Sequence, residues 1–78
     1  METKITFEEY LRKENLSENT ITSYLWTVNY FNANYDAVSK ENLLAYKGYL
    51  MEFFKPKTVN LRIQAINKYL EYLEEQHL

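Results

Sequence analysis

The sequence predicts an all-α domain, a compact assembly of four helices. Two observations carry this. The 78 residues include one Gly and one Pro, too little punctuation for a turn-rich β fold. Four start signals are each followed by apolar residues at helical spacing. A chain of this length forms one domain, residues 1–78. It buries only about 60% of the surface its unfolded form exposes, so its core needs large side chains. Eight Tyr, four Phe and one Trp supply them.

The first helix is expected over Phe7–Glu14, opened by Thr6 with Glu9 three residues on, a capping-box pattern. Ser17 caps a second over Glu18–Asn34, with Glu18 favourably placed in its first turn. Its apolar stripe is Ile21, Tyr24, Leu25, Val28 and Phe31. Ser39 caps a third over Lys40–Phe54, with Leu43, Leu44, Tyr46, Leu50 and Phe54 as its stripe. Pro56 suits the first turn of the fourth, where its missing N–H costs nothing. Lys55 has no acceptor side chain, which leaves Thr58 as the candidate N-cap. Val59, Ile63, Ile66, Leu70 and Leu73 then recur at spacings of four and three, within a narrow sector at 100° per residue.

Composition excludes several functions. No Cys is present, and His77 is the only His, so disulfides and His- or Cys-based metal sites are not expected. No Gly-rich phosphate loop, nucleophilic triad or cofactor motif occurs, and no apolar run approaches the ~18 residues of a membrane span. A cytoplasmic, cofactor-free domain without a membrane partner is expected. The net charge of −2 hides an uneven distribution. Between Phe53 and Leu70 every charged residue is a cation: Lys55, Lys57, Arg62 and Lys68. Cations near a helix start oppose the macrodipole, which favours acids there by roughly 0.3–1 kcal/mol each. Stability alone does not choose Lys55 and Lys57, and their placement points to an anionic partner. Asn60, Gln64 and Asn67 add amides that can bridge phosphates or base edges.

Leu16-Ser17-Glu18-Asn19-Thr20-Ile21-Thr22-Ser23-Tyr24 opens the second helix, Pro56-Lys57-Thr58-Val59-Asn60 the fourth, and Tyr69-Leu70-Glu71-Tyr72-Leu73 closes the chain. Together with Phe7-Glu8-Glu9-Tyr10-Leu11 and Ser39-Lys40-Glu41-Asn42-Leu43, this ordered set resembles the N-terminal core-binding domain of the tyrosine recombinases, the phage-integrase family. The resemblance implies an orthogonal four-helix bundle, the SAM-like integrase N-terminal fold. It further implies double-stranded DNA as partner, gripped at a core recombination site by the second and fourth helices. A C-terminal catalytic domain of the same parent chain would be a second partner, and other recombinase protomers on DNA a third. Carried onto this sequence, the DNA-binding residues are Thr20, Thr22, Ser23, Trp26, Lys55, Lys57, Thr58, Asn60, Arg62, Gln64 and Lys68. The chain departs from the family's usual residues at Lys55, commonly Ser, and at Trp26, commonly Arg or Lys.

Helical geometry sends Lys57, Asn60, Gln64 and Lys68 away from the core stripe, with Arg62 flanking them and reaching a phosphate. Thr22, Ser23 and Trp26 are expected to join them in one continuous surface. Trp26 either lies against a duplex or packs under the first helix or another domain. The chain is not expected to be an enzyme. Activating a phosphate for Tyr attack needs clustered cationic donors, and the two Arg, at 12 and 62, fall on different helices. Tyr10, Tyr24, Tyr46, Tyr49, Tyr69 and Tyr72 are expected at the core or its edge. The alternative reading is a helical interaction domain that docks a partner helix or self-associates.

Overall fold

The computed structural model describes residues 5–76, so His77 lies outside it. Four helices account for most of them: α1 (Phe7–Lys13), α2 (Glu18–Asn34), α3 (Lys40–Phe53) and α4 (Pro56–Gln76), with no strand among the described residues. The all-α, four-helix expectation holds.

Local chemistry sets the helix ends. At α1 both arms of the capping box form: Glu9 N–H donates to Thr6 Oγ1 at 3.1 Å, and Thr6 N–H to Glu9 Oε1 at 2.8 Å. The helix stops because Asn15 adopts φ 62°, a left-handed conformation that Asn tolerates better than most residues. Ser17 accepts from Thr20 N–H at the start of α2, and Ser39 from Asn42 N–H at the start of α3. The Asn42 amide also donates to Ala37 O at 2.8 Å and Asp36 Oδ1 at 3.2 Å, which ties the α2–α3 loop to α3.

Thr58 is not the N-cap of α4. Val59 N–H donates to Lys55 O at 2.9 Å, so the helix begins at Pro56 and Lys55 holds the cap position. Proline's fixed φ starts the turn there and places Thr58 inside it. The α4 start therefore has neither a capping side chain at Lys55 nor an acid in its first turn.

Packing builds two adjoining apolar clusters. Phe7, Tyr10, Leu11, Ile21, Tyr24, Val28 and Ala65 form the first; Phe31, Tyr46, Leu50, Val59 and Ile66 form the second. Only α2 and α4 contribute to both, so these two make the spine, with α1 on the first cluster and α3 on the second. Ser23 and Thr27 meet Arg62, Tyr24 meets Gln64, and Asn32 meets Tyr69, so α2 and α4 run in the same direction. Of the aliphatic residues in the three stripes, Ile21, Val28, Leu50, Val59 and Ile66 are buried, while Leu25, Leu43, Ile63, Leu70 and Leu73 are half-buried. Leu44 departs from its expected place in the stripe. It is 59% exposed, because α3 packs through the neighbouring line of Leu43, Tyr46 and Leu50.

Hydroxyl and carboxylate contacts tie α1 to the far end of α4. Tyr10 Oη donates to Glu71 at 2.6 Å, and Tyr72 Oη to the Ile5 carbonyl at 2.6 Å. The Tyr10 hydroxyl and then the Lys68 ammonium hold the Glu71 carboxyl below its ordinary range.

Gly48 lies inside the continuous helix α3, where the backbone does not require a glycine. It is exposed, has a negative φ, and a Cβ built there meets nothing within 4 Å. Gly48→Ala is expected to stabilise the domain by about 0.5–1 kcal/mol, read as a higher urea midpoint. An unchanged or lower midpoint would contradict this placement of residue 48.

Candidate nucleic-acid interface

The residues singled out on α2 and α4 separate into three groups. The first lies on the outward side of α4, where Lys57, Asn60 and Gln64 are exposed, with Lys55 just ahead. Neither Lys55 nor Lys57 has an ion-pair partner among the described residues. Thr58 is half-buried behind them. This end of the domain is an exposed cationic corner at a helix start whose leading N–H groups lack a capping side chain. Both features favour an anion.

The second group is a joint between α2 and α4. Arg62 turns toward α2 and does not flank the outward face. Its Nη1 donates to Thr27 Oγ1 at 3.0 Å, Ser23 Oγ at 3.3 Å and the Ser23 carbonyl at 3.5 Å. The guanidinium also lies over the Trp26 ring, 4.4 Å from its centroid. Thr27 is fully buried, and its hydroxyl donates onward to the Ser23 carbonyl at 2.9 Å. The Arg62 Nε is buried without a hydrogen-bond partner among the described residues. Trp26 and Ser23 are thus held next to α4, but by an arginine occupied with holding them.

Trp26 packs along its own helix and under Arg62 of α4, and is linked to α3 through Tyr30. Its ring stacks on Tyr30 at 5.4 Å, and Tyr30 stacks on Tyr49 at 5.6 Å with only 11° between planes. Tyr49 in turn meets Phe53 at 5.2 Å. This row from Trp26 to Phe53 crosses from α2 to α3 and was not anticipated, because no single helix contains it. The i, i+4 spacings of Trp26/Tyr30 and Tyr49/Phe53 were the available signal. Beneath the row, burial pushes the Tyr46 hydroxyl up to about 12 despite the nearby Arg62 charge.

In the third group, Lys68 and Thr20 are not brought to this face as free polar groups. Lys68 Nζ pairs with Glu14 at 3.1 Å and Glu71 at 3.1 Å, and these two carboxylates raise its pKa. Its charge is consumed inside the α1–α4 contact. Thr20 is engaged at the α2 cap, where its hydroxyl accepts from Ser17 Oγ at 2.9 Å. Thr22 is exposed and lies one turn before Trp26, about 40° around α2 from it. Lys68, paired with two carboxylates, therefore does not join Ser23, Trp26 and the outward face of α4 as a free cation.

Arg12 donates to both Glu8 and Glu18 and is likewise committed. Among the described residues no three metal-ligating side chains gather, and no helix is long and apolar enough to cross a membrane.

No protein-family model matches the chain, and no solved structure matches it. It is 30% identical, over 77 aligned residues, to a protein described as the TnP I resolvase of Bacillus thuringiensis. The alignment takes in 86% of this chain, which spans only 27% of that relative. The match corrects the family expectation drawn from the motifs. The relative is a resolvase, and the assignment to the tyrosine recombinases and phage integrases does not stand. The motifs that carried it, Ser-Glu-Asn-Thr and Pro-Lys-Thr-Val, act here as a helix cap and a first turn, patterns open to any helical domain. What the chain is similar to is a segment of a resolvase about a quarter of its length, given the 27% covered.

Proposed function

We propose that this domain binds duplex DNA within a protein of DNA recombination. The observation that carries the reading is the acid-free stretch that opens α4, where Lys55 and Lys57 are unpaired and Asn60 and Gln64 stand exposed beside them. Phosphates reward such lysines by releasing condensed counterions, and amides beside them can reach base edges. The similarity to a resolvase supports the same direction. Ser23 and Trp26 border this side through Arg62, which acts as a positioning residue. We read the domain as a binding module and assign strand breakage to other parts of such a protein. Both Arg are engaged within the fold, Arg12 by carboxylates and Arg62 by α2, so neither is free to activate a phosphate.

The test is a duplex titration at two or more salt concentrations. Each neutralised phosphate contributes about 0.9 to the slope of log K against log salt. Lys57→Ala is expected to weaken binding to all duplexes alike and to lower that slope by about 1. Gln64→Ala is expected to narrow the gap between preferred and arbitrary sequences while leaving the slope in place. Supercoiled plasmid should remain intact in the same mixtures. An affinity that ignores salt, or a Lys57→Ala protein that binds like its parent, overturns the proposal.

A further inference from the structure

The side of the domain formed by α3 and α4 carries apolar surface that its own fold leaves uncovered. Leu44 and Met51 on α3 are 59% and 64% exposed. Between the two helices lie two cavities, of about 380 and 200 Å³, and Lys47 and Ile63 line both, so they form one continuous groove. Asn60 borders the larger cavity and Asn67 the smaller. Leu44 to Met51 is seven residues, and so is Asn60 to Asn67. Each wall thus repeats after two helical turns, roughly 10.5 Å.

From this geometry we infer that the α3–α4 groove is a docking site for an acidic amphipathic helix of a partner protein, two to three turns long. Three observations select that occupant. The two-turn spacing of Leu44 and Met51 matches apolar anchors at i, i+3 or i+4, and i+7. The floor is apolar, which suits side chains and not sugar-phosphate. The charge is cationic: Lys47 sits midway along the groove, Lys55 and Lys57 lie toward its Pro56 end, and none has an ion-pair partner among the described residues. Glu52, the nearest acid on α3, lies about 140° around the helix from Lys47. The Lys47 stem covers apolar surface while its ammonium meets a carboxylate of the partner. The groove borders the DNA-binding side of α4 and shares Asn60, Lys55 and Lys57 with it, while Leu44, Lys47, Met51 and Ile63 belong to the groove alone.

The experiment uses the full chain, isotope-labelled, and a 15-residue synthetic helical peptide with Leu anchors at i, i+3 and i+7 flanked by Glu. A second peptide carries Lys in place of each Glu. The acidic peptide is expected to shift the resonances of Leu44, Lys47, Met51, Asn60 and Ile63 and to bind better than the basic one. Lys47→Glu, on an exposed position and checked for helicity, should weaken the acidic peptide about tenfold and recover binding of the basic one. No binding at millimolar peptide, shifts on another face, or equal affinity for both peptides overturns the inference. So does a 20-base-pair duplex that perturbs Leu44, Lys47, Met51 and Ile63 and displaces the peptide, since the groove would then belong to the DNA surface.

Discussion

Phe31→Ala is expected to destabilise the domain by about 3–5 kcal/mol, the range for deleting a buried aromatic ring. Phe31 is 1% exposed. Its ring stacks on Tyr35 at 4.9 Å and meets Tyr46 edge-on at 5.5 Å. It stands where α2 contributes to the cluster that also holds Leu50 of α3 and Val59 and Ile66 of α4. Removing it leaves a cavity bordered by three helices that cannot all close on it. A domain of this size is stable by only roughly 0.05–0.15 kcal/mol per residue, about 4–12 kcal/mol in all, so the loss is a large share of its margin. Urea denaturation followed by circular dichroism would measure it. A loss below 1 kcal/mol would mean that the ring does not sit in this cluster.

Arg62 yields the second large effect, and a choice of replacement separates its charge from its packing. Arg62→Ala is expected to cost about 1–3 kcal/mol, since charge-assisted bonds to Thr27 and Ser23 disappear together with cover over Trp26. Arg62→Met should cost clearly less. Thr27 keeps its bond to the Ser23 carbonyl, the thioether chain covers the indole, and the unpartnered buried Nε is gone. Trp26 emission should shift to longer wavelength in the Ala protein and stay near its original position in the Met protein. Neither change should alter the salt slope of DNA binding by the amount expected for Lys57→Ala. A slope that drops by about 1 with Arg62→Met would instead make Arg62 a phosphate contact.

The helices were legible because their determinants are local. Thr6, Ser17 and Ser39 mark their starts, and the stripes on α2 and α4 follow helical spacing. The exceptions share one cause. Helical periodicity gives each side chain a direction but does not say which helix lies there. Leu44 reads as core from spacing, yet α3 turns its neighbouring line inward. Arg62 lies near the core stripe, and its reach decided its place: three oxygens of α2 were within range. Lys68 faced outward on the wheel but met Glu14, 54 residues earlier in the chain. The aromatic row from Trp26 to Phe53 exists only once α2 and α3 are side by side. The family resemblance failed for a related reason, since it rested on short helix-start patterns that many helical domains share.

The two hydroxyl bonds that fasten α1 impose an order on folding. Tyr10 to Glu71 and Ile5 to Tyr72 span 61 and 67 residues, nearly the whole domain. A seven-residue helix is too short to persist alone in water, and closing a loop of that length must precede any return from its contacts. Within the domain, the earlier segment therefore waits for the later one. Until α4 is complete through Tyr72, Phe7 and Tyr10 lack the aromatic partners that cover them, Tyr69 and Tyr72. The domain closes only when its last helix has been made.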